Sequence, residues 1–225
     1  MPTTNQWLAF LVASVLFIQV PGPSLLFTIG RALTVGRRDA LLSALGNALG
    51  VLLQVLAIAV GLGAVVAASA TAYTVLKIAG AAYVVWLGVQ AIRHRGDARA
   101  AMEANALSGA DPGADRGAGR GARGSAVVRS LRIGVTVGLT NPKTLVFFVA
   151  FLPQFVDESA GHAGLQLALL GLVFGVIAAL SDSAWALAAA RARDWFARRP
   201  SRLDSLGTAG GVMMIGLGAV MAASE

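Results

Sequence analysis

Apolar positions along the chain fall into long blocks, not into a stripe of period 3.6 or an alternation of period 2. Six such blocks can be drawn, at about 7–30, 40–67, 71–92, 130–154, 164–190 and 205–223. Each is close to the roughly 20 residues that a helix needs to cross about 30 Å of hydrocarbon. The second is long enough to tilt or to run past the bilayer. The pattern predicts an all-α membrane protein with six transmembrane helices. The first block has no positive segment before it and no small-residue cleavage site after a short apolar core, so it reads as a span and not as a signal peptide. Only a few residues separate the second and third blocks, which predicts a tight hairpin there.

Two of the blocks are interrupted. VPGPSLLF at 20–27 sets Pro21 and Pro23 inside the first, and LTNPKTLV sets Asn141-Pro142 inside the fourth. Proline lacks an amide hydrogen and clashes with the preceding turn, so helices 1 and 4 are expected to be broken. Lipid tolerates broken backbone only where protein buries it or where it lines a cavity. A helix restarting after a break exposes free amide hydrogens, a ready site for an anion. The restart at Gly22, Pro23 and Ser24 would aim that end at a carboxylate, and Asn141 is suited to cap the restart at Pro142.

Composition agrees with the pattern. The chain has 225 residues, 56% hydrophobic and only 13% charged, about half the charge of a soluble domain. Its 27 glycines favour close helix–helix contact. There is no cysteine, which excludes disulfides and thiolate metal sites, and His94 and His162 sit near block ends without a ligand cluster. No cofactor is called for.

The net charge of +7 would suggest nucleic acid if the cations were spread evenly, but sixteen of the eighteen lie on alternate connections. Arg31, Arg37 and Arg38 occupy the first, eight arginines from Arg93 to Arg132 the third, and five from Arg191 to Arg202 the fifth. Under the positive-inside rule these connections are cytoplasmic and both termini lie outside. The basic excess thus belongs to topology, and nucleic acid is not an expected partner. The Gly-, Ala-, Arg- and Asp-rich stretch 93–129 cannot bury a core and reads as a flexible basic cytoplasmic linker.

That linker separates two halves, 1–92 and 130–225, of three spans each. AGAAYVVWLGV at 79–89 aligns without gaps to AGGVMMIGLGA at 209–219, Gly46-x-x-x-Gly50 recurs as Gly171-x-x-x-Gly175, and PGP at 21–23 recurs as NPK at 141–143. A unit of three spans repeated in tandem must face opposite ways in its two copies. The prediction is two inverted three-helix repeats, an architecture whose substrate sites lie near the midplane at matched helix breaks.

Three ionisable residues lie inside the blocks: Lys77, Lys143 and Asp182. Such groups at membrane depth are costly and are functional candidates by default. Lys143 follows the second break and could complete a carboxylate site. Asp182 could take up a proton or pair with an ammonium group. Lys77 sits near the start of its span, where it could snorkel to the interface. Gln54 and Gln19 suit helix–helix hydrogen bonds better than ligand contacts.

At these residues the sequence resembles the LysE/RhtB family of bacterial amino-acid exporters. PGP at 21–23, Gly36 with Gly46-x-x-x-Gly50, LKIAGAAYVVWLGVQAIR at 76–93 and GLTNPKTLVFFVAFLPQF at 138–155 carry the likeness, which omits only the long 94–128 segment. The resemblance implies a bacterial inner-membrane secondary transporter that exports amino acids or close derivatives, driven by the proton gradient. Its partners would be a small zwitterion, protons and the lipid bilayer, with a homo-oligomer left open. A related branch handles cadmium, but a chain without Cys or clustered His offers no soft-metal site. An enzyme would need a nucleophile with a base, or paired carboxylates, which the spans lack. The alternatives are a metal-ion efflux protein of the cadmium type and a non-transporting scaffold, and the scaffold should tolerate loss of Lys143 and Asp182.

Overall fold

The computed structural model describes residues 1–68, 70–97, 99 and 120–223, and every regular element among them is helical. The first span is a bent pair. Helix α1 (Thr4–Gln19) starts on a capping box in which Thr3 and Gln6 satisfy each other's backbone amides, and it stops at Val20, held extended by the following proline. Helix α2 (Pro23–Thr34) restarts with Pro23 in its first turn, where no amide hydrogen is needed, and leaves at 51° to α1. Helix α3 (Arg37–Ala68) and helix α4 (Ala70–Arg93) follow with almost no connection between them, as the hairpin reading requires.

The second half repeats the device. Helix α5 (Arg120–Leu139) ends before Asn141, and helix α6 (Pro142–Ala150) restarts at 45° to it. Asn141 caps that restart, its Oδ1 accepting from the amide of Lys143 at 3.1 Å. Helix α7 (Ala163–Arg191), the short α8 (Arg193–Arg198) and α9 (Ser201–Ala223) complete the chain. Two boundaries differ from the apolar blocks. The fourth block was drawn to 154, but α6 stops at Ala150, and the chain tightens into a 3-10 turn at Leu152–Phe155 around Pro153. The linker drawn over 93–129 is helical from Arg120 onward, because Ala and Arg extend a helix already packed at Ser130 and Leu131. Residues 98 and 100–119 of that linker lie outside the described residues.

Three helices are long and apolar enough to cross a membrane, over Arg37–Val60, Ala163–Arg191 and Ser201–Val220, and counting each bent pair as one span makes five. The described apolar stretch of α4, Ile78–Arg93, falls short of that length.

Small residues set the packing. A side chain at Gly46 would strike the backbone of Leu131, and one at Gly138 would strike the carbonyl of Asn47, so α3 and α5 run parallel with their backbones in contact. Gly171 and Gly175 of α7 receive the side chains of Val55 and Leu52 of α3, in antiparallel order. Gly88 lies on the carbonyl of Gly211 while Gly218 lies on Ala81, which pairs α4 with α9, also antiparallel. These directions bring the starts of α3, α5 and α9 and the ends of α4 and α7 to one end of the bundle. The Arg-bearing segments therefore share that end. Helix α1 starts at the other, where the Gln6 amide donates to the carbonyl of Val156.

Among the described residues three apolar clusters fill the interior; the smallest gathers Val20, Ala81, Val84, Val146, Ala150 and Met214, and the other two lie toward opposite ends. One, near the end opposite the arginines, gathers Phe10, Phe17, Phe147, Phe148, Leu170 and Phe174. The second, near the arginine end, gathers Leu25, Ile29, Leu33, Ala186, Phe196 and Leu203. Leucines and valines such as Leu16, Leu53, Val60, Leu180 and Val212 stay exposed on the outer faces, as a lipid-facing surface requires.

Candidate functional site

Between the two larger clusters, at mid-height of α3 and α7, lies a cavity of about 30 Å³. It has room for about one water and none for an amino acid. Both broken spans contribute to its wall: Phe17, Val20, Gly22 and Ser24 from the first, Asn141, Lys143 and Thr144 from the second. Asn47 and Val51 of α3 and Phe174, Ala178 and Asp182 of α7 close it.

Lys143 is 4% exposed, so its ammonium cannot be left to water. Its Nζ donates to the carbonyls of Phe17 at 2.7 Å and of Val20 at 2.6 Å, and it stands 4.4 Å from the centroid of the Phe17 ring. A helix C-terminus carries partial negative charge on its unpaired carbonyls, and an aromatic face attracts cations. The lysine of one break thus neutralises the carbonyl end of the other. Gly22 is what lets it pass: a Cβ there would lie 2.7 Å from Lys143 Cδ. From the sequence this ammonium could complete a carboxylate site; here backbone oxygens hold it.

Asp182 is 5% exposed and accepts from Asn47 Nδ2 at 2.8 Å. It faces the same cavity as Lys143, and no ion pair among the described residues joins the two. Around them two buried polar atoms lack partners, Asn47 Oδ1 and Ser24 Oγ. The start of α2, where Ser24 sits, has no side-chain cap. The cavity therefore holds an acid, a cation, and uncommitted hydrogen-bonding capacity at the positive end of a helix.

Gln54 plays the matching part at the second break. Its amide donates to the carbonyls of Leu139 at 3.0 Å and of Asn141 at 3.1 Å, and its Oε1 accepts from Thr144 Oγ1 at 2.7 Å. It caps the carbonyl end of α5 without lining the cavity.

Of the residues singled out in the sequence, the structure brings Gly22, Ser24, Asn141, Lys143 and Asp182 together. Pro21, Pro23 and Pro142 shape the breaks but do not line the cavity; Pro21 packs against Gly210. The side chain of Lys77 lies outside the described residues. Gln19 accepts from Trp185 Nε1 at 2.9 Å on the exposed rim. Sequence reasoning missed Asn47, Phe17 and Thr144. Asn47 carried a signal, a lone amide inside the Gly46-x-x-x-Gly50 seam; Phe17 carried none, since its contribution is a carbonyl and a ring face.

A second polar cluster lies at the arginine end. Arg31 donates to Ser43 Oγ at 3.1 Å and Ser130 Oγ at 3.0 Å, and Ser130 donates to Asp39 Oδ1 at 2.7 Å, tying α2, α3 and α5 together.

The family model described as LysE type translocator matches residues 15–225. Over 223 residues, 99% of this chain and 98% of the other, the chain is 30% identical to the homoserine/homoserine lactone efflux protein of Salmonella typhimurium. It is 34% identical over 220 residues, 97% of each chain, to an uncharacterized membrane protein of Vibrio cholerae. With the leucine efflux protein of Klebsiella pneumoniae it shares 30% identity over 175 residues, 76% of this chain and 73% of the other. No solved structure matches the chain.

Proposed function

The chain belongs to the LysE type translocator family of membrane transporters, and from that premise we propose that it exports small neutral amino acids or close derivatives by proton antiport. The observation that carries the reading is the buried Lys143 and Asp182 facing one cavity at the junction of two broken spans. Ionisable groups are kept at membrane depth where they serve an ion or a polar substrate. The neutral class rests on the relatives named for homoserine and leucine efflux and on a cavity with one acid and one base. Among the described residues no three His, Asp or Glu come together.

In this mechanism the substrate carboxylate meets the uncapped start of α2 at Gly22, Pro23 and Ser24. Asp182, held in orientation by Asn47, carries the coupling proton. The cavity is too small for its cargo. Transport then requires the halves to part alternately, a motion that suits two inverted three-helix repeats with α4 as the sixth crossing. The Arg-bearing end faces the cytoplasm of a bacterial inner membrane, and both termini face out.

Counterflow of a panel of amino acids in proteoliposomes tests the reading. At least one neutral amino acid should exchange, and an imposed pH gradient should drive it uphill. Asp182→Asn should keep exchange and lose the uphill drive. A panel with no exchange, or a variant still driven uphill, overturns the corresponding part.

A further inference from the structure

The carbonyl end of α1 is built as an ammonium site, and the protein's own lysine occupies it. Two backbone oxygens, Phe17 O and Val20 O, converge on one nitrogen at 2.7 and 2.6 Å, and the Phe17 ring covers it at 4.4 Å. These are the elements that bind a primary ammonium: a negative helix end, two converging carbonyls and an aromatic face, although Phe17 O also accepts from the Val20 amide at 3.3 Å. The uncapped start of α2, with Ser24 Oγ unpartnered, lies just across the Pro21-Gly22-Pro23 break. One broken helix thus presents a cation site at Phe17 and Val20 and an anion site at Ser24, on the two sides of one break and on the wall of one cavity.

We infer that the α1 carbonyl end is the subsite for the substrate's α-ammonium, and that Lys143 fills it as a tethered stand-in when no substrate is bound. This rests on the exporter reading for the identity of the cargo, but the ammonium site itself rests on geometry alone. An incoming amino acid displaces the lysine and reaches across the break to Ser24. Emptied of cargo, the site is closed again by Lys143, so the Val20 carbonyl, costly to leave bare at membrane depth, is not left unpaired. Gly22 serves the exchange by leaving the lysine's stem a path.

The test uses the full-length purified protein and methylammonium chloride as probe. Lys143→Ala should unfold at a lower temperature than wild type, and methylammonium should raise its midpoint while sodium chloride and methanol at equal concentration do not. Wild type should not respond, since its own ammonium fills the site. Gly22→Ala, which pushes the lysine stem from its path, should respond as Lys143→Ala does and serves if that variant fails to fold. Equal effects of methylammonium and sodium on the variants overturn the ammonium site. In Lys143→Ala, an amino acid that exchanges in counterflow should compete with methylammonium and bind about tenfold or more tighter than its 2-hydroxy-acid analogue, the loss expected on removing charge-assisted hydrogen bonds. An exchanged amino acid that does not compete overturns the substrate assignment. A methylammonium response beside a panel that fails counterflow sinks the exporter reading and leaves the ammonium site standing.

Discussion

A single side chain at each break determines whether the interrupted backbone is tolerable. The carbonyls of Phe17 and Val20 at the end of α1 receive Lys143, and that of Leu139 at the end of α5 receives Gln54, which also reaches the already bonded carbonyl of Asn141. The two partners were legible as polar residues in apolar runs, but their duties were not. Lys143 lies 126 residues from Phe17, and a contact with a backbone oxygen leaves no mark in the identity of the residue that supplies it. Gln54 reads from sequence as a helix–helix hydrogen bond, and its amide makes such bonds. Gln54→Leu keeps the volume near but strips the donors from Leu139 O and Asn141 O and the acceptor from Thr144. It should lower stability by about 1–2 kcal/mol, read as a lower unfolding midpoint in detergent. An unchanged midpoint would show that these carbonyls find other partners.

Among the elements, the breaks were the most legible and the helix ends the least. Pro21, Pro23 and Pro142 act through covalent geometry, which sequence states outright. The extension of α5 back to Arg120 depends on tertiary contact at Ser130 and Leu131, which local composition does not record. Glycine spacing carried more. Gly46-x-x-x-Gly50 announced a close seam, and the structure supplies its partner in Gly134 and Gly138 of α5. That seam also holds Asn47, and through it the orientation of Asp182. Gly138→Ala should force α3 and α5 apart at the carbonyl of Asn47, costing about 1–3 kcal/mol and slowing transport. Gly216→Ala, on the exposed side of α9 with no atom within 4 Å of the added carbon, should stay within about 1 kcal/mol of wild type. Melting curves and counterflow rates of the two variants check the contrast; equal behaviour would mean that the seam has slack.

The whole molecule has two unlike ends, and the sequence announced this through charge alone. Sixteen arginines on alternate connections predicted one basic face. The parallel run of α3 and α5 and the antiparallel pairs α3–α7 and α4–α9 gather the Arg-bearing segments at that face by an independent, steric route. What charge could not convey was where the cavity would fall between the ends, since that depends on how far α3 and α7 overlap. In the proposed orientation the basic face is cytoplasmic, because a cationic segment resists transfer across a negative-inside membrane. The chain has no cysteine, so single cysteines can report on it directly. Ala160 is exposed just before α7, at the end of the bundle opposite Arg38, which is itself exposed at the start of α3. In intact cells stripped of outer membrane, an impermeant maleimide should label Ala160→Cys at once and Arg38→Cys only after permeabilisation. The reverse order would overturn the proposed orientation. Labelling of both in intact cells would mean that the arginine end is reachable through an open pathway, at odds with a cavity that has no room for an amino acid.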